Sequence, residues 1–350
     1  MAKQKMVVAG DMGVIGRAVI ERVAGNPDWD VVGLSRRTPD YDSKAEHISV
    51  DLLDPEDCRR KLGGLNDVTH IAFAAYIEKI RLADQVAPNL ALITNLVRSL
   101  QDASPSLRHV TLFQGGKAYG CHLGPFKTPG KESDPRHMPP NFYYDQEDFL
   151  RAESTGRSWS WSVLRPEAVC GFAVGNPMNI LMVIAVYAAI SKQLGQPLRF
   201  PGTVKAYNAL YQVSDADILA DATVWAGQEP KAAGEIFNIT NGDYFRWCHL
   251  WPRFADFFGL DYAPPIPINL QDMMADKRPV WEAITAEHGL RPYDFDVIAS
   301  WRFGDFIFNA EYDNITSTIK ARRLGFHTCI DSEEMFLSKF QRLQEMRIIP

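Results

Sequence analysis

The chain has 350 residues, of which 46% are hydrophobic, 11% aromatic and 23% charged, with a formal net charge of −6. These values exclude disorder, collagen-like repeats and a disulfide-dense mini-scaffold. The acidic balance argues against a general nucleic-acid binder, because phosphate contacts need a basic footprint. The length allows two domains, or one large α/β domain with an elaboration.

Taken in order, residues 6–9 read as a strand, 14–23 as a helix, 30–34 as a second strand and 47–50 as a third. Asp54-Pro55-Glu56 has the form of an N-cap, a first-turn proline and a first-turn acid. Residues 68–73 read as a fourth strand, 90–100 as a helix and 108–113 as a fifth strand. A loop rich in Gly, Pro, His and Lys follows over 115–140. Helix signals resume at 144–152, and 161–164 forms a sixth strand that ends in Arg165-Pro166. Strands alternating with helices predict βαβ units, hence an α/β fold with a Rossmann-type, doubly wound parallel sheet. After Gly171 the alternation fades into a smaller, mostly helical C-terminal part. The expected division is a nucleotide-binding domain over 1–170 plus about 205–240, and a substrate-binding lid over 171–204 plus about 241–350.

The N-terminus, from Met1 and Ala2 onward, enters the first strand without a signal-peptide core. The apolar stretch 180–190 falls short of the roughly 20 residues that span a bilayer, and reads as a buried helix. The cysteines, Cys58, Cys121, Cys170, Cys248 and Cys329, are odd in number and lack C-x-x-C spacing. Neither a disulfide framework nor a cysteine-based metal site is expected, and a reducing, cytoplasmic setting follows.

Gly10-Asp11-Met12-Gly13-Val14-Ile15-Gly16 lies between the first strand and the first helix. Glycines so placed allow a tight turn and close approach to a pyrophosphate, and the helix N-terminus donates N–H groups to it. The second strand ends in Ser35-Arg36-Arg37, where NAD binders usually carry a carboxylate. Guanidinium groups pair well with a ribose phosphate, so NADPH/NADP+ is expected as cofactor. Asp51-Leu52 follows the third strand, placed either against the adenine or in a turn.

No tyrosine has a lysine four residues later, so the usual Tyr–Lys pair of short-chain dehydrogenases on one helix is absent. Two other segments carry candidate groups: Lys117-Ala118-Tyr119 at the end of the fifth strand, and Asn141-Phe142-Tyr143-Tyr144 at a helix start. Together with Leu123-Gly124-Pro125-Phe126, Gly171-Phe172, Leu198 to Gly202 and Phe237 to Asp243, they resemble the progesterone 5β-reductase/iridoid synthase family. That family is an atypical branch of the extended short-chain dehydrogenases/reductases, and the resemblance runs over nearly the whole chain.

The resemblance implies that Lys117 and Tyr143 are catalytic. It implies NADPH-dependent reduction of the C=C bond of activated enones and enals. It places Phe126, Tyr143 and Phe172 against the substrate. The cofactor is expected on Gly10, Met12, Gly13, Val14, Ile15, Gly16, Ser35, Arg36, Arg37, Asp51, Leu52, Ala74, Lys117, Tyr143, Val169 and Met178, with no metal. Tyr144 is read as core, His122 as polar loop surface and Cys121 as non-nucleophilic. Trp301 and Phe303 are further candidate pocket walls. Ala118 and the lengthened Gly120-Cys121-His122 depart from the pattern of the plant members and resemble a bacterial branch.

In the mechanism this implies, hydride adds to the β-carbon and the Tyr143 phenol hydrogen-bonds the enolate oxygen, a contribution of ~3–4 kcal/mol. Lys117 favours a more acidic phenol and bonds the ribose. Solvent protonates the α-carbon. Two alternatives stand beside this reading: a carbonyl reductase on the same site, and a non-catalytic NADP(H)-binding sensor. The expected partner is a small hydrophobic carbonyl-activated molecule, with no nucleic acid and no membrane. A homodimer is among the assemblies this reading allows.

Overall fold

The predicted strands pair in one sheet because their apolar runs must be covered on both faces. The structure is a computed structural model describing residues 3–39 and 41–350, so the leading Met1 and Ala2 lie outside the described residues. β1 (Gln4–Ala9), β2 (Trp29–Ser35), β3 (Glu46–Ser49), β4 (His70–Phe73), β5 (His109–Phe113) and β6 (Ser160–Pro166) lie parallel. The strand Glu235–Ile239 joins in parallel beside β6. The order across the sheet is Glu235–Ile239, β6, β5, β4, β1, β2, β3. The chain reverses its direction of travel across the sheet between β1 and β4, and the crevice outside their carboxyl ends is where such folds bind ligands.

Register brings the strand ends together. Ala9 pairs with both Leu34 and Phe73, Phe73 with Leu112, and Phe113 with Leu164. Gly10, Ala74 and Gln114 therefore leave the sheet along one edge, level with Ser35 at the end of β2.

The helices start where local chemistry dictates. α1 (Val14–Ala24) opens at Gly13, whose backbone is extended. α2 (Pro55–Leu62) is capped by Asp54, which accepts from the Glu56 and Asp57 N–H groups, with Pro55 in the first turn. α3 runs over Leu82–Ala103, eight residues earlier than the predicted start at 90. Pro88 masks that beginning in the sequence, since proline normally ends a helical pattern. Buried side chains compensate: Asn89 donates to the carbonyls of Ile77 and Gln85 at 2.8 Å, and Gln85 donates to the Lys79 carbonyl at 2.7 Å. The same bonds fix the loop that follows β4. α4 (Phe142–Glu153) begins two residues before the predicted position, because Asn141 caps it by accepting from the Tyr143 N–H.

α5 (Ile180–Gln193) is the apolar stretch singled out above. It is buried on nearly every side and forms the centre of the C-terminal helices. Around it pack Phe200, Trp247, Trp251, Phe254, Phe308, Phe336 and Phe340, many of them edge-to-face. This aromatic layer absorbs much of the 11% aromatic content. Among the described residues, no helix is long and apolar enough to cross a membrane.

Candidate active site

A cavity of about 570 Å³ opens at the carboxyl edge of the sheet, beside the point where the strand order reverses. One end is the glycine turn. Gly10 has φ +84°, and a Cβ there would lie 2.7 Å from the Ala74 carbonyl oxygen. A Cβ on Gly16 would lie 2.2 Å from the Gly10 carbonyl oxygen, so Gly16 lets α1 press against the turn and does not itself face the cavity. Asp11, inside the turn, is buried and accepts at 2.7 Å from His47 Nδ1 on β3, a contact sequence reasoning missed.

Ser35, Arg36 and Arg37 line the same end. The Ser35 hydroxyl donates to the Arg37 carbonyl at 2.6 Å, and Ser49 donates to the Arg36 carbonyl at 3.0 Å. These bonds fix the backbone while both guanidinium groups stay exposed. Among the described residues, neither has an ion-pair partner. Asp51 and Leu52 line the cavity. The Asp51 carboxylate accepts from the Leu53 N–H at 3.0 Å, the turn arrangement weighed above. Met12, Gly13, Val14, Ile15, Ala74, Val169 and Met178 also line it. A dinucleotide fits this surface: a glycine cradle without room for Cβ atoms at one end, and two unpaired cations at the tip of β2.

Lys117 and Tyr143 both line the cavity farther along. Lys117 sits on the 3₁₀ turn Gly116–Tyr119, which leaves β5 after Gln114 and Gly115. Tyr143 is in the first turn of α4. Asn141 joins the two elements, since its amide nitrogen donates to the Lys117 carbonyl at 3.0 Å while its oxygen caps α4. Beneath them, Gln114 donates to the Tyr143 carbonyl at 2.8 Å and accepts from Arg165 Nε at 2.8 Å. Arg165 reaches the Glu147 carboxylate at 3.2 Å, with both side chains buried. The catalytic candidates thus rest on a buried ionic support.

Burial pulls the Lys117 ammonium below its usual range, and its Nζ contacts the Met178 sulfur at 3.9 Å. Burial, with Cys121 and Glu167 close by, pushes the Tyr143 phenol well above 10, opposed by Arg165. The expected lowering of this phenol by Lys117 is not met, since burial dominates and the phenol is less acidic than usual. The phenol stays neutral, and among the described residues it makes no hydrogen bond. It is available as a donor.

Two aromatic residues lie away from the expected wall. Phe126 stacks on Tyr119 at 6.5 Å between ring centres and meets Tyr312 edge-on at 6.4 Å, behind the cavity wall. Phe172 packs under Arg17 and beside Tyr293, outside the cavity. Each finds a ring or cation to cover it, which a sequence pattern does not reveal. Trp301 is buried against Phe295, whereas Phe303 and Phe306 from the same helix line the cavity. Tyr119 is tied to Asn238 at 2.5 Å, and Tyr144 donates to the Ala118 carbonyl at 2.9 Å, so both are structural. His122 lies beside His137, off the cavity.

Sequence reasoning missed Tyr76, Tyr211, Tyr312, Asn314 and Glu167, all on the wall. Only Glu167 left a signal, as the residue directly after Arg165-Pro166 at a strand's carboxyl end.

A family model for the PRISE-like Rossmann-fold domain matches residues 47–350. The chain belongs to the PRISE-like family. A PRISE-like relative, the (S)-8-oxocitronellyl enol synthase CYC2 of Camptotheca acuminata, is 34% identical over 98% of this chain and 93% of its own. The 3-oxo-Δ(4,5)-steroid 5-β-reductase of Arabidopsis thaliana is also 34% identical, over 98% of this chain and 92% of its own. The short chain dehydrogenase gsfE of Penicillium aethiopicum is 32% identical over 98% of both. Among solved structures, the PRISE-like chain is similar in fold to the UDP-glucose 4-epimerase of Thermotoga maritima. Their TM-score is 0.70 at 16% identity, over 98% of this chain and 99% of the epimerase.

Proposed function

We propose that this protein is an NADPH-dependent reductase of the activated C=C bond of enones and enals. The observation that carries the reading is a neutral, unpartnered Tyr143 phenol in a largely apolar cavity that Lys117 also lines and that is continuous with the dinucleotide cradle. The relatives named as an oxocitronellyl enol synthase and a Δ(4,5)-steroid reductase support the same chemistry.

The sheet half, 1–170 with about 205–240, holds the cofactor, and 171–204 with about 241–350 covers the substrate. Gly10 and Gly13 leave room for the pyrophosphate, Arg36 and Arg37 take the ribose phosphate, and Lys117 bonds the nicotinamide ribose. Bound NADPH supplies the hydride. The Tyr143 hydroxyl donates to the substrate carbonyl oxygen and strengthens that bond as negative charge develops there. A phenol held above its ordinary range keeps its proton, which suits a hydrogen-bond donor to an enolate better than a proton donor to an alkoxide. Phe303, Phe306 and Ile307 line the same cavity and offer apolar surface to the substrate.

Incubation with NADPH and a panel of enones, enals and saturated ketones tests the proposal. Saturated carbonyl products are expected. Allylic alcohols would indicate carbonyl reduction, and tight NADP(H) binding without turnover would indicate a sensor. Tyr143→Phe is expected to lower kcat roughly 10²–10³-fold with cofactor affinity retained. Full activity in that variant would overturn the site.

A further inference from the structure

The glycine turn and the arginine tip of β2 receive two ends of one ligand, so the spacing between them matters as much as either end. Asp11 and His47 join the strands that carry them, and neither lines the cavity. Asp11 follows Gly10 in the turn after β1, and its carboxylate lies over Gly33 of β2, where a Cβ would come within 2.5 Å of Oδ2. In the sheet register Gly33 pairs with Val8 of β1 on one side and with His47 of β3 on the other. His47 Nδ1 donates to that same Oδ2 at 2.7 Å. The carboxylate thus crosses from β1 to β3 over a position that carries no side chain. A glycine inside a strand weakens it and often marks such a close approach.

The pair is enclosed, with the Asp11 side chain 1% exposed and that of His47 15%. Asp11 Oδ1 and His47 Nε2 have no hydrogen-bond partner among the described residues, so the bond between the two side chains is what offsets burial of the carboxylate. β3 is a four-residue strand at the edge of the sheet, held in the ladder by β2. Side chains alternate along a strand, so His47 and Ser49 leave the same face. His47 holds the turn, and Ser49 donates to the Arg36 carbonyl at 3.0 Å. The Tyr41 hydroxyl donates to the Asp11 carbonyl at 3.4 Å, a second bond from the residues after Arg37 back to the turn. β3 also leads into Asp51 and Leu52 on the cavity wall.

We propose that Asp11 and His47 are positioning residues for cofactor choice, fixing the distance between the glycine turn and the Arg36-Arg37 segment so that a dinucleotide with a 2′-phosphate is held at both. The proposal rests on the NADPH reading. A ligand that touches both segments gains from having their spacing set before it binds. Without the tie, the edge strand and the arginine backbone bonded to it shift against the turn, and the cost falls on the phosphate contact. NAD+ has no 2′-phosphate, and its pyrophosphate meets the turn alone, so its binding is indifferent to that spacing.

The test titrates the intact protein with NADP+ and with NAD+ by calorimetry and needs no turnover. Asp11→Ala is expected to lower the preference for NADP+ about tenfold, through weaker NADP+ binding, while NAD+ affinity stays within about threefold of wild type. Asp11→Asn keeps an oxygen for His47 Nδ1 and should restore the preference. The double variant Asp11→Ala with His47→Val leaves no buried charge without a partner, which keeps the test open if a single variant folds poorly, and should lose the same preference. A merely structural role would lower Tm and weaken both dinucleotides alike. That result, or an unchanged preference in Asp11→Ala and in the double variant, would overturn the proposal. A wild type that binds NAD+ as tightly as NADP+ would overturn the NADPH reading itself.

Discussion

Replacing Glu167 by glutamine changes folding stability in a way that depends on pH, and the size follows from its surroundings. Folded, the carboxyl keeps its proton up to about pH 8, whereas its ordinary value is 4.5. Between those values the folded state binds more protons than the unfolded chain, so stability falls as pH rises from about 4.5 to about 8 and levels off above. At about 1.4 kcal/mol per pH unit, the wild type loses roughly 4–5 kcal/mol over that window. A glutamine amide has no proton to lose, presents an N–H where the acid presents an O–H, and keeps an oxygen for Asn314 Nδ2. Chemical denaturation of both proteins at about pH 5, 7 and 9 should therefore find them within ~1 kcal/mol at the lowest pH, with the variant more stable by several kcal/mol at the highest. Parallel stability curves would refute the neutral buried carboxyl.

Replacing both Arg36 and Arg37 by alanine should lower the preference for NADPH over NADH about 10–100-fold, the worth of one charge-assisted hydrogen-bonded phosphate contact at ~1.5–3 kcal/mol. kcat/KM with each cofactor at low and high salt checks this, and an unchanged ratio would contradict the placement of the 2′-phosphate. Gly16→Ala drives a Cβ to 2.2 Å from the Gly10 carbonyl oxygen, so α1 must back away from the turn. A loss of ~1–3 kcal/mol in thermal unfolding and weaker NADP(H) binding by titration are expected together. Glu147→Ala leaves the Arg165 guanidinium buried without its carboxylate and should cost ~3–5 kcal/mol on denaturation. A neutral result there would mean that Arg165 finds another acceptor.

Period and punctuation carry the sheet. Apolar runs covered on both faces gave six strands their places, and Gly10 to Gly16 marked the turn at the carboxyl edge. The start of α3 was hidden because Pro88 reads as a stop, while the bonds that offset it come from Asn89 and Gln85 reaching back to a loop. Lys117 and Tyr143 were visible only through their motifs, since no helical spacing links them. Phe126 and Phe172 show the opposite limit: an aromatic residue beside a site in sequence turns to whichever ring or guanidinium covers it. Glu167 and Asn314 are 147 positions apart, and a hydrogen bond at the cavity wall unites them once the parallel bridge of Asn314 with Tyr211 has set the Asn314 backbone.

Asn141 has a consequence for how this scaffold accommodates loops of different length. In a pair spaced along one helix, lysine and tyrosine share a rigid ruler, and nothing can be inserted between them. Here the Asn141 amide clamps the carbonyl of Lys117 to the cap of the helix bearing Tyr143, and the Tyr144 hydroxyl bonds the next carbonyl of the same turn, that of Ala118. The stretch from 120 to 140 leaves that clamp and returns to it as a closed excursion, of which Cys121 alone among the described residues lines the cavity. Its length can vary while the Lys117 turn and the cap of the Tyr143 helix stay joined. The join between the two candidate groups and the length of this excursion are thereby separable parts of the scaffold.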